Sequence, residues 1–443
     1  MVSTVVDILS ELIAVPSVNP RLAAGCDAEP GEQRLTEWLA RFCTGQGWRW
    51  TVQAVHPGRA NFIALIPGGR AETLLWEAHQ DTVSAAGMVV NPFEATVRDG
   101  RVYGRGACDV KGGLAAMLAA LVRLNGEPSE RRPNVLFCST VNEECGFTGA
   151  RELAEIWRED GKCEATESPT EIPPLIASQK ATALRSGDFG SSVLACSHPF
   201  EGERLTLAEL ARLRPSTAVV AEPTELDVVV AHRGVVRWRS TVYGRAAHSS
   251  RPEQGLNAIY AMMDVVRLIE DYHRVELGSR PVDLLCGPST ACVTTIQGGT
   301  GPNTVPDHVT IDVDRRLAPS DSPDAAYQEL VAHLAAHAQL GGCRLEHEPP
   351  WMQSRGMAAD ANAAWAERVS LAARSVGAAG CIMGVPYGTN AASIAAAGIP
   401  TVVFGPGSID QAHTADEWIA IEQLERAVES LCAIADTSIQ RTI

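Results

Sequence analysis

Residues 76–83 read WEAHQDTV and place His79 and Asp81 two apart at the end of an apolar strand, so both side chains leave the same face. That spacing suits a metal-bound imidazole steadied by a neighbouring carboxylate, with an ordinary surface ion pair as the alternative. Residues 104–113, GRGACDVKGG, form a glycine-dense loop that opens a helix. Asp109 in it is either the N-cap of that helix or a ligand presented on a tight loop. After the apolar run 135–141 comes Asn142-Glu143-Glu144. Two adjacent carboxylates at the carboxyl end of a buried strand repel one another and lose hydration unless a cation joins them; a solvated loop pair is the other reading. Glu222 in AEPT follows the apolar run 218–220, and His413 lies in QAHTADE shortly after an apolar strand ending at Phe404. His79, Asp109, Glu144, Glu222 and His413 are thus five candidate ligands, each beyond a strand, where open α/β sheets build their sites. Two imidazoles and three carboxylates, one of them able to bridge, suit a pair of divalent ions about 3.5 to 4 Å apart.

The elements that must position these residues alternate. A helical stripe, Val5, Val6, Leu9, Leu12 and Ile13, ends at Pro16. Short apolar runs at 61–66, 73–76 and 135–141 read as strands, with an Ala/Leu-rich helix at 112–124 between the last two. That pattern predicts an α/β sheet sandwiched by helices. The middle of the chain differs: strand-like 235–243, helical 256–268, strand-like 292–297 and 308–313, helical 324–336 and a closing strand at 344–347. This βαββαβ order is the ferredoxin-like arrangement. The expected organisation is a discontinuous metal-binding domain, residues 1–228 and 347–443, interrupted by an α+β lid or dimerisation domain at 229–346. The α/β pattern resumes near Ala363, with a buried strand at 401–404 and a last helix at 419–434.

Composition narrows the function. The chain has 443 residues, 45% hydrophobic and 20% charged, with 37 basic and 53 acidic residues giving a net charge of −16. That length suffices for a large core without staples. An acidic chain without a basic run is repelled by phosphate backbones and anionic lipid surfaces, which excludes nucleic acid and membrane as expected partners and leaves a small-molecule enzyme. Asp7 and Glu11 interrupt the apolar N-terminus, and the first basic residue is Arg21, unlike a signal peptide. The uncharged stretch 375–409 is long enough to span a membrane, but Pro386, Pro400 and Pro406 would break such a helix. The twelve cysteines contain no CxxC pair and read as reduced, packed thiols of a cytoplasmic protein.

HQDTV, GRGACDVKGG, NEECG, AEPT and AHTADE, in this order, closely resemble the metal-site motifs of the acetylornithine deacetylase, succinyl-diaminopimelate desuccinylase and carboxypeptidase G family of co-catalytic zinc hydrolases. GRAAHSSRPEQGLNAI (244–259), GGTGPNTVP (298–306) and DRRLAP (314–319) resemble its lid-domain signatures. The resemblance spans nearly the whole chain. It implies a zinc-exopeptidase-like fold in which His79 and Glu222 hold one ion, Glu144 and His413 the other, and Asp109 bridges them. Two divalent ions are implied, zinc first, with cobalt or manganese as alternatives. It further implies that Asp81 orients His79, that Glu143 is the general base, and that His248 enters the neighbouring subunit's site to hold the developing oxyanion. Asn303 and Arg316 correspond to substrate-binding residues, Arg316 being suited to a carboxylate. A homodimer follows from the His248 domain, and a small substrate bearing a carboxylate is the expected partner. His333 and His337, four apart on a predicted helix, read as surface residues because nothing else joins them.

The implied reaction is hydrolysis of the amide bond of an N-acyl amino acid by metal-activated water. The alternatives are a dipeptidase or carboxypeptidase, an N-carbamoyl amino acid hydrolase, or a catabolic hydrolase of an unusual amide or aromatic amine. A non-catalytic binding protein of the same fold predicts missing ligands or a replaced base, and all five ligands and Glu143 are present. There are two departures from the family pattern. The interval between Glu144 and Glu222 is longer than in compact members, with the polar excess at about 161–204. In YGTNAA (387–392), Asn390 stands where many members carry an acid, which is expected to remove a negative charge from the substrate pocket.

Overall fold

The computed structural model describes residues 4–23, 31–128, 130, 132–158 and 204–436. Apart from Arg204, the 161–204 excess lies outside the described residues. The first half of the chain contributes strands β1 (Arg49–His56), β2 (Arg59–Ile66), β3 (Thr73–His79), β4 (Thr96–Arg98), β5 (Arg101–Tyr103), β6 (Asn134–Thr140), β7 (Thr217–Val220) and β8 (Val228–His232). The middle contributes β9 (Gly234–Tyr243), β10 (Ala247–His248), β11 (Thr290–Gly298), β12 (Thr304–Val305), β13 (His308–Leu317), β14 (Arg344–His347) and β15 (Met352–Ser354). The last part adds β16 (Ile382–Val385), β17 (Thr401–Val403) and β18 (Trp418–Ala420).

The largest sheet has the order β1-β2-β6-β3-β7-β17-β8-β16. Its centre, β6-β3-β7-β17, is parallel throughout, while β1, β2 and the β17–β8 contact are antiparallel. The central strands are buried along their length, which is why they read as continuous apolar runs. Period-two alternation divides them between two helical layers. Leu74, Trp76 and Ala78 pack with the helices Val5–Ile13, Lys111–Asn125, Ala363–Ser375 and Ile421–Ala435. Leu75 packs on the opposite side with Thr148–Glu155, Leu207–Arg212 and Ala391–Ala395. Glu77 and His79 therefore share the Leu75 face.

The middle segment forms its own sheet, β11-β13-β9-β14, with β15 also pairing β9. Helices Ala258–Asp271 and Pro323–His337 cover one face through Val236, Trp238, Ile311 and Val313, the ferredoxin-like order expected from the sequence. The strands change sheets between His232 and Gly234, and return only after Ser354, because β15 pairs antiparallel with β9. The expected boundaries at 229 and 346 fall short of both points. The alternation of β9 and β13 reveals the middle sheet, whereas the short β15 carries no period of its own.

The stretch 375–409 is folded into β16, the short helix Ala391–Ala395 and β17, and no helix among the described residues is long and apolar enough to cross a membrane. The nine described cysteines are free.

Candidate metal centre

The parallel order β6-β3-β7-β17 brings four strand ends side by side, and the candidate ligands issue from them. His79 is the last residue of β3. Glu143 and Glu144 open the short helix Glu143–Gly146 beyond β6, Glu222 follows β7 by two residues, and His413 lies on the loop after β17. Asp109 arrives from the glycine-rich loop before helix Lys111–Asn125. Val110, not Asp109, occupies the N-cap position of that helix, so of the two readings of Asp109 the capping one is not realised.

Asp109 faces both histidines: Oδ1 lies 3.0 Å from His79 Nε2, and Oδ2 lies 3.3 Å from His413 Nε2. Glu144 Oε1 is 3.2 Å from the same His413 nitrogen. The donor atoms form two groups, His79-Asp109-Glu222 and Asp109-Glu144-His413, each with its atoms within 4.8 Å of one another and with Asp109 common to both. His79 Nδ1 donates to the main-chain carbonyl of Asp81 at 2.8 Å, which leaves the Nε2 lone pair directed at the cluster.

The electrostatics fit a cation-binding donor set. Burial pushes Glu143 well above the usual carboxylate range, and the neighbouring carboxylates of Glu144, Asp109 and Asp81 push the same way, against His79. Burial likewise raises Glu144 and Glu222, with Glu143 and Asp109 adding to the effect on Glu222. The hydrogen bonds that His413 donates to Asp109 and Glu144 drive it up to about 11. Three carboxylates raised beside Asp109, which its two histidine partners hold low, leave a largely buried cluster whose charges a divalent ion would relieve.

The role expected of Asp81 is corrected in its atoms. Its carboxylate sits 3.7 Å from His79 Nδ1, beyond hydrogen bonding, because other donors occupy it. Oδ1 accepts from the main-chain N–H of Glu143 at 3.0 Å, and Oδ2 from that of Glu144 at 3.1 Å and from Asn19 Nδ2 at 2.7 Å. Asp81 thus caps the short helix whose first two residues are Glu143 and Glu144, held between Asn142 and Phe147 in left-handed conformations. An amide at this position has one acceptor for two main-chain donors, so Asp81→Asn should lower metal affinity roughly 10- to 100-fold. A metal titration that matches wild type would remove Asp81 from this role.

Two supporting residues escaped the sequence reading. Glu417, the last letter of AHTADE, is buried beneath the Asp109 loop and accepts from Arg105, Gly106 N, Cys108 N and Asp109 N. The Arg105–Glu417 pair is 2.7 Å long, with side chains 4% and 1% exposed. Glu417→Ala would leave a buried guanidinium and three N–H groups without their acceptor, and should destabilise the fold by about 3 to 5 kcal/mol in chemical denaturation. A loss below about 1 kcal/mol would contradict this account.

The second is Glu77, fully buried on β3, which accepts from Thr140 Oγ1 at 2.6 Å and Asn390 Nδ2 at 3.0 Å. Burial raises its carboxyl to about 7. Asn390 is 1% exposed, and its amide nitrogen serves Glu77 and Thr140, so it braces the sheet rather than lining a substrate pocket. The acid expected at 390 is matched by a carboxyl across the strand at 77. The signal was present as the lone Glu in an apolar run two residues before His79.

The remaining substrate-side candidates lie in the middle sheet. His248 on β10 is exposed, bonds Ser250 through Nδ1 at 2.8 Å, and pairs with Thr304 of β12 beside Asn303. Arg316 is engaged by Asp314, Nε–Oδ1 2.7 Å and Nη2–Oδ2 3.3 Å, and Asp314 also takes Arg237 Nε. Arg316 must therefore share or release Asp314 to meet a substrate carboxylate. No distance among the described contacts joins His248, Asn303 or Arg316 to the ligand cluster. His333 stacks between Tyr272 and His337, consistent with a packing rather than a ligand role.

Ligands gathered at the carboxyl ends of parallel strands, with a shared aspartate and an adjacent buried glutamate, define a metallohydrolase that acts on amide or peptide bonds. Residues 75–437 match the Peptidase family M20/M25/M40, and the chain belongs to that family. It is 26% identical over 427 residues to the acetylornithine deacetylase of Vibrio cholerae, covering 91% of each chain. Among solved structures it superposes on an M20 metallo-carboxypeptidase of Sulfolobus solfataricus with a TM-score of 0.71 at 16% identity, covering 99% of this chain and 100% of the other. A dinuclear metal-binding M20 peptidase of Bacillus subtilis superposes with a TM-score of 0.59 at 15% identity, with 98% of each covered.

Proposed function

We propose that the protein hydrolyses the amide bond of an N-acyl amino acid, using two divalent ions held by His79, Asp109 and Glu222 and by Asp109, Glu144 and His413. The observation that carries this reading is Asp109, whose two oxygens each face one imidazole of a separate ligand group. Ions held there would acidify water and polarise the scissile carbonyl, and carboxylate-rich donor sets of this kind accept zinc, cobalt or manganese. Glu143, buried beside both groups with a raised proton affinity, accepts the proton of the attacking water and passes it to the leaving nitrogen. Asp81 fixes Glu143 by holding its N–H. Arg316 receives the substrate carboxylate with Asn303 nearby. His248 enters the neighbouring subunit's site and donates to the developing oxyanion of the substrate bound there, the kind of contact worth roughly 3 to 4 kcal/mol.

The trans role of His248 requires a second copy. The edge strand β11 and helix Ala258–Asp271 support a homodimer: among the described residues β11 pairs only with β13, and Ile296, Tyr260 and Met263 are exposed along this side. Sedimentation that finds only the single-chain mass at micromolar concentration would remove this part of the reading.

We read an N-acyl amino acid first, a choice supported by the similarity to proteins named acetylornithine deacetylase. The carboxypeptidase neighbour makes a dipeptide or C-terminal peptide bond the second reading. The metal-reconstituted protein should be assayed on a panel of N-acetyl, N-succinyl and N-carbamoyl amino acids and dipeptides. Highest kcat/KM on an N-acyl amino acid is the expected result. A preference of tenfold or more for dipeptides or N-carbamoyl substrates would overturn the substrate assignment and leave the metal site standing.

A further inference from the structure

Beside the metal-ligand cluster, behind the turn that carries Glu143 and Glu144, lies a separate cleft of about 230 Å³. Four basic side chains line it, Arg21, His56, Arg59 and Arg151, together with Thr148 and the Trp351 segment that returns from the middle sheet, and no Asp or Glu among the described residues lines it. In a chain of net charge −16, such a concentration of positive groups runs against the overall field.

The individual partners sharpen the point. Arg59 is matched by the buried Glu32, which does not line the cleft. Arg151 donates only to the main-chain carbonyl of Gln353 at 2.9 Å, and no ion pair is formed by Arg21 or Arg151 among the described residues. His56 Nε2 sits 2.8 Å from Thr148 Oγ1, and its proton affinity is lowered by burial and then by Arg59 and Arg21. Two guanidinium groups without a carboxylate among the described residues, next to a third and to an imidazole and a hydroxyl, make a polar cavity that favours negative charge. Guanidinium forks match the planar or tetrahedral oxygens of carboxylate and phosphate.

We infer that this cleft is a second ligand site, distinct from the metal centre, that takes a small oxyanion, a carboxylate or phosphate group. A volume of about 230 Å³ has room for a small free anion or for the charged end of a larger molecule. The site also touches the catalytic turn. Arg59 Nη2 donates to Asn142 Oδ1 at 3.2 Å, and Asn142 is the residue before Glu143. An anion drawn to Arg59 is therefore one hydrogen bond from the segment that holds the base, and Arg151 links the same cleft to the β15 backbone through Gln353.

Isothermal titration of the metal-loaded full chain with inorganic phosphate and, separately, with succinate tests the inference and separates the two sources of oxyanion. Both Arg21 and Arg151 are exposed, so Arg21→Gln/Arg151→Gln should fold normally and keep kcat/KM in the absence of added anion. The expected result is saturable binding of one or both anions that weakens at least tenfold in this double variant. Binding should persist in His79→Ala/His413→Ala, which removes a ligand from each metal group. Affinity in the double variant within twofold of wild type, no measurable binding, or binding abolished by the His79/His413 change would each overturn the inference.

Discussion

Glu143→Gln should lower turnover by roughly 10²- to 10⁴-fold while leaving metal content and stability near wild type. The amide keeps the shape of the carboxyl, and the main-chain N–H that Asp81 holds is unchanged, so the short helix Glu143–Gly146 should stay in place. What is lost is a buried carboxylate beside both ligand groups that belongs to neither of them and, unlike that of Asp81, is not occupied by main-chain donors. Burial should also become cheaper: removing one charge from a cluster that includes Glu144, Asp109 and Asp81 relieves repulsion, so the metal-free variant should be as stable as wild type or slightly more so. The check is kcat on the best substrate of the panel, with metal per chain measured on the same sample. A rate within about threefold of wild type at full metal content removes Glu143 as the base.

Asp109→Asn should do more damage to metal binding than any other single ligand change, because Asp109 alone belongs to both groups. An amide offers one oxygen and no charge, so at least one imidazole loses its carboxylate neighbour whichever way the side chain turns. A loss of affinity beyond about 100-fold is expected, exceeding the 10- to 100-fold typical of outer supports. Stabilisation by metal follows RT ln(1 + [L]/Kd), so at a fixed metal concentration where wild type is well saturated, that loss removes about 2.7 kcal/mol of metal-induced stabilisation. The sign with pH also follows. Glu143, Glu144 and Glu222 are raised, so the metal-free folded state binds more protons than the unfolded chain above the ordinary carboxylate range, and its stability falls as pH rises through the raised values. Metal binding displaces those protons, so apparent affinity should rise with pH over that window. Thermal melts of wild type and Asp109→Asn with and without added ion, at two pH values, read both effects. Equal metal-induced shifts in the two proteins would show that Asp109 bridges nothing.

Much of this site was legible before any coordinates. His79, Asp109, Glu144, Glu222 and His413 lie in compact motifs beyond apolar strands, and a strand end is where a parallel sheet leaves its main chain free to present side chains. The ferredoxin-like middle was equally legible, because β9 and β13 are half-buried and alternate cleanly. What was not legible was which atoms of these residues meet.

The sequence by itself determined the candidate ligand types, the family and the two-layer organisation, since those depend on local motif and on period. Only the tertiary structure decided that the Asp81 carboxylate secures Glu143 and Glu144 while its main-chain carbonyl holds His79, that Glu417 holds the Asp109 loop from more than 300 positions away, and that Asn390 braces Glu77 inside the sheet. The same is true of the arginine cleft, whose members come from residues 21, 59 and 151 and the 350–353 return segment. Hydrogen bonds and fields act over a few ångströms in space, and strand order, not sequence separation, sets which side chains come that close.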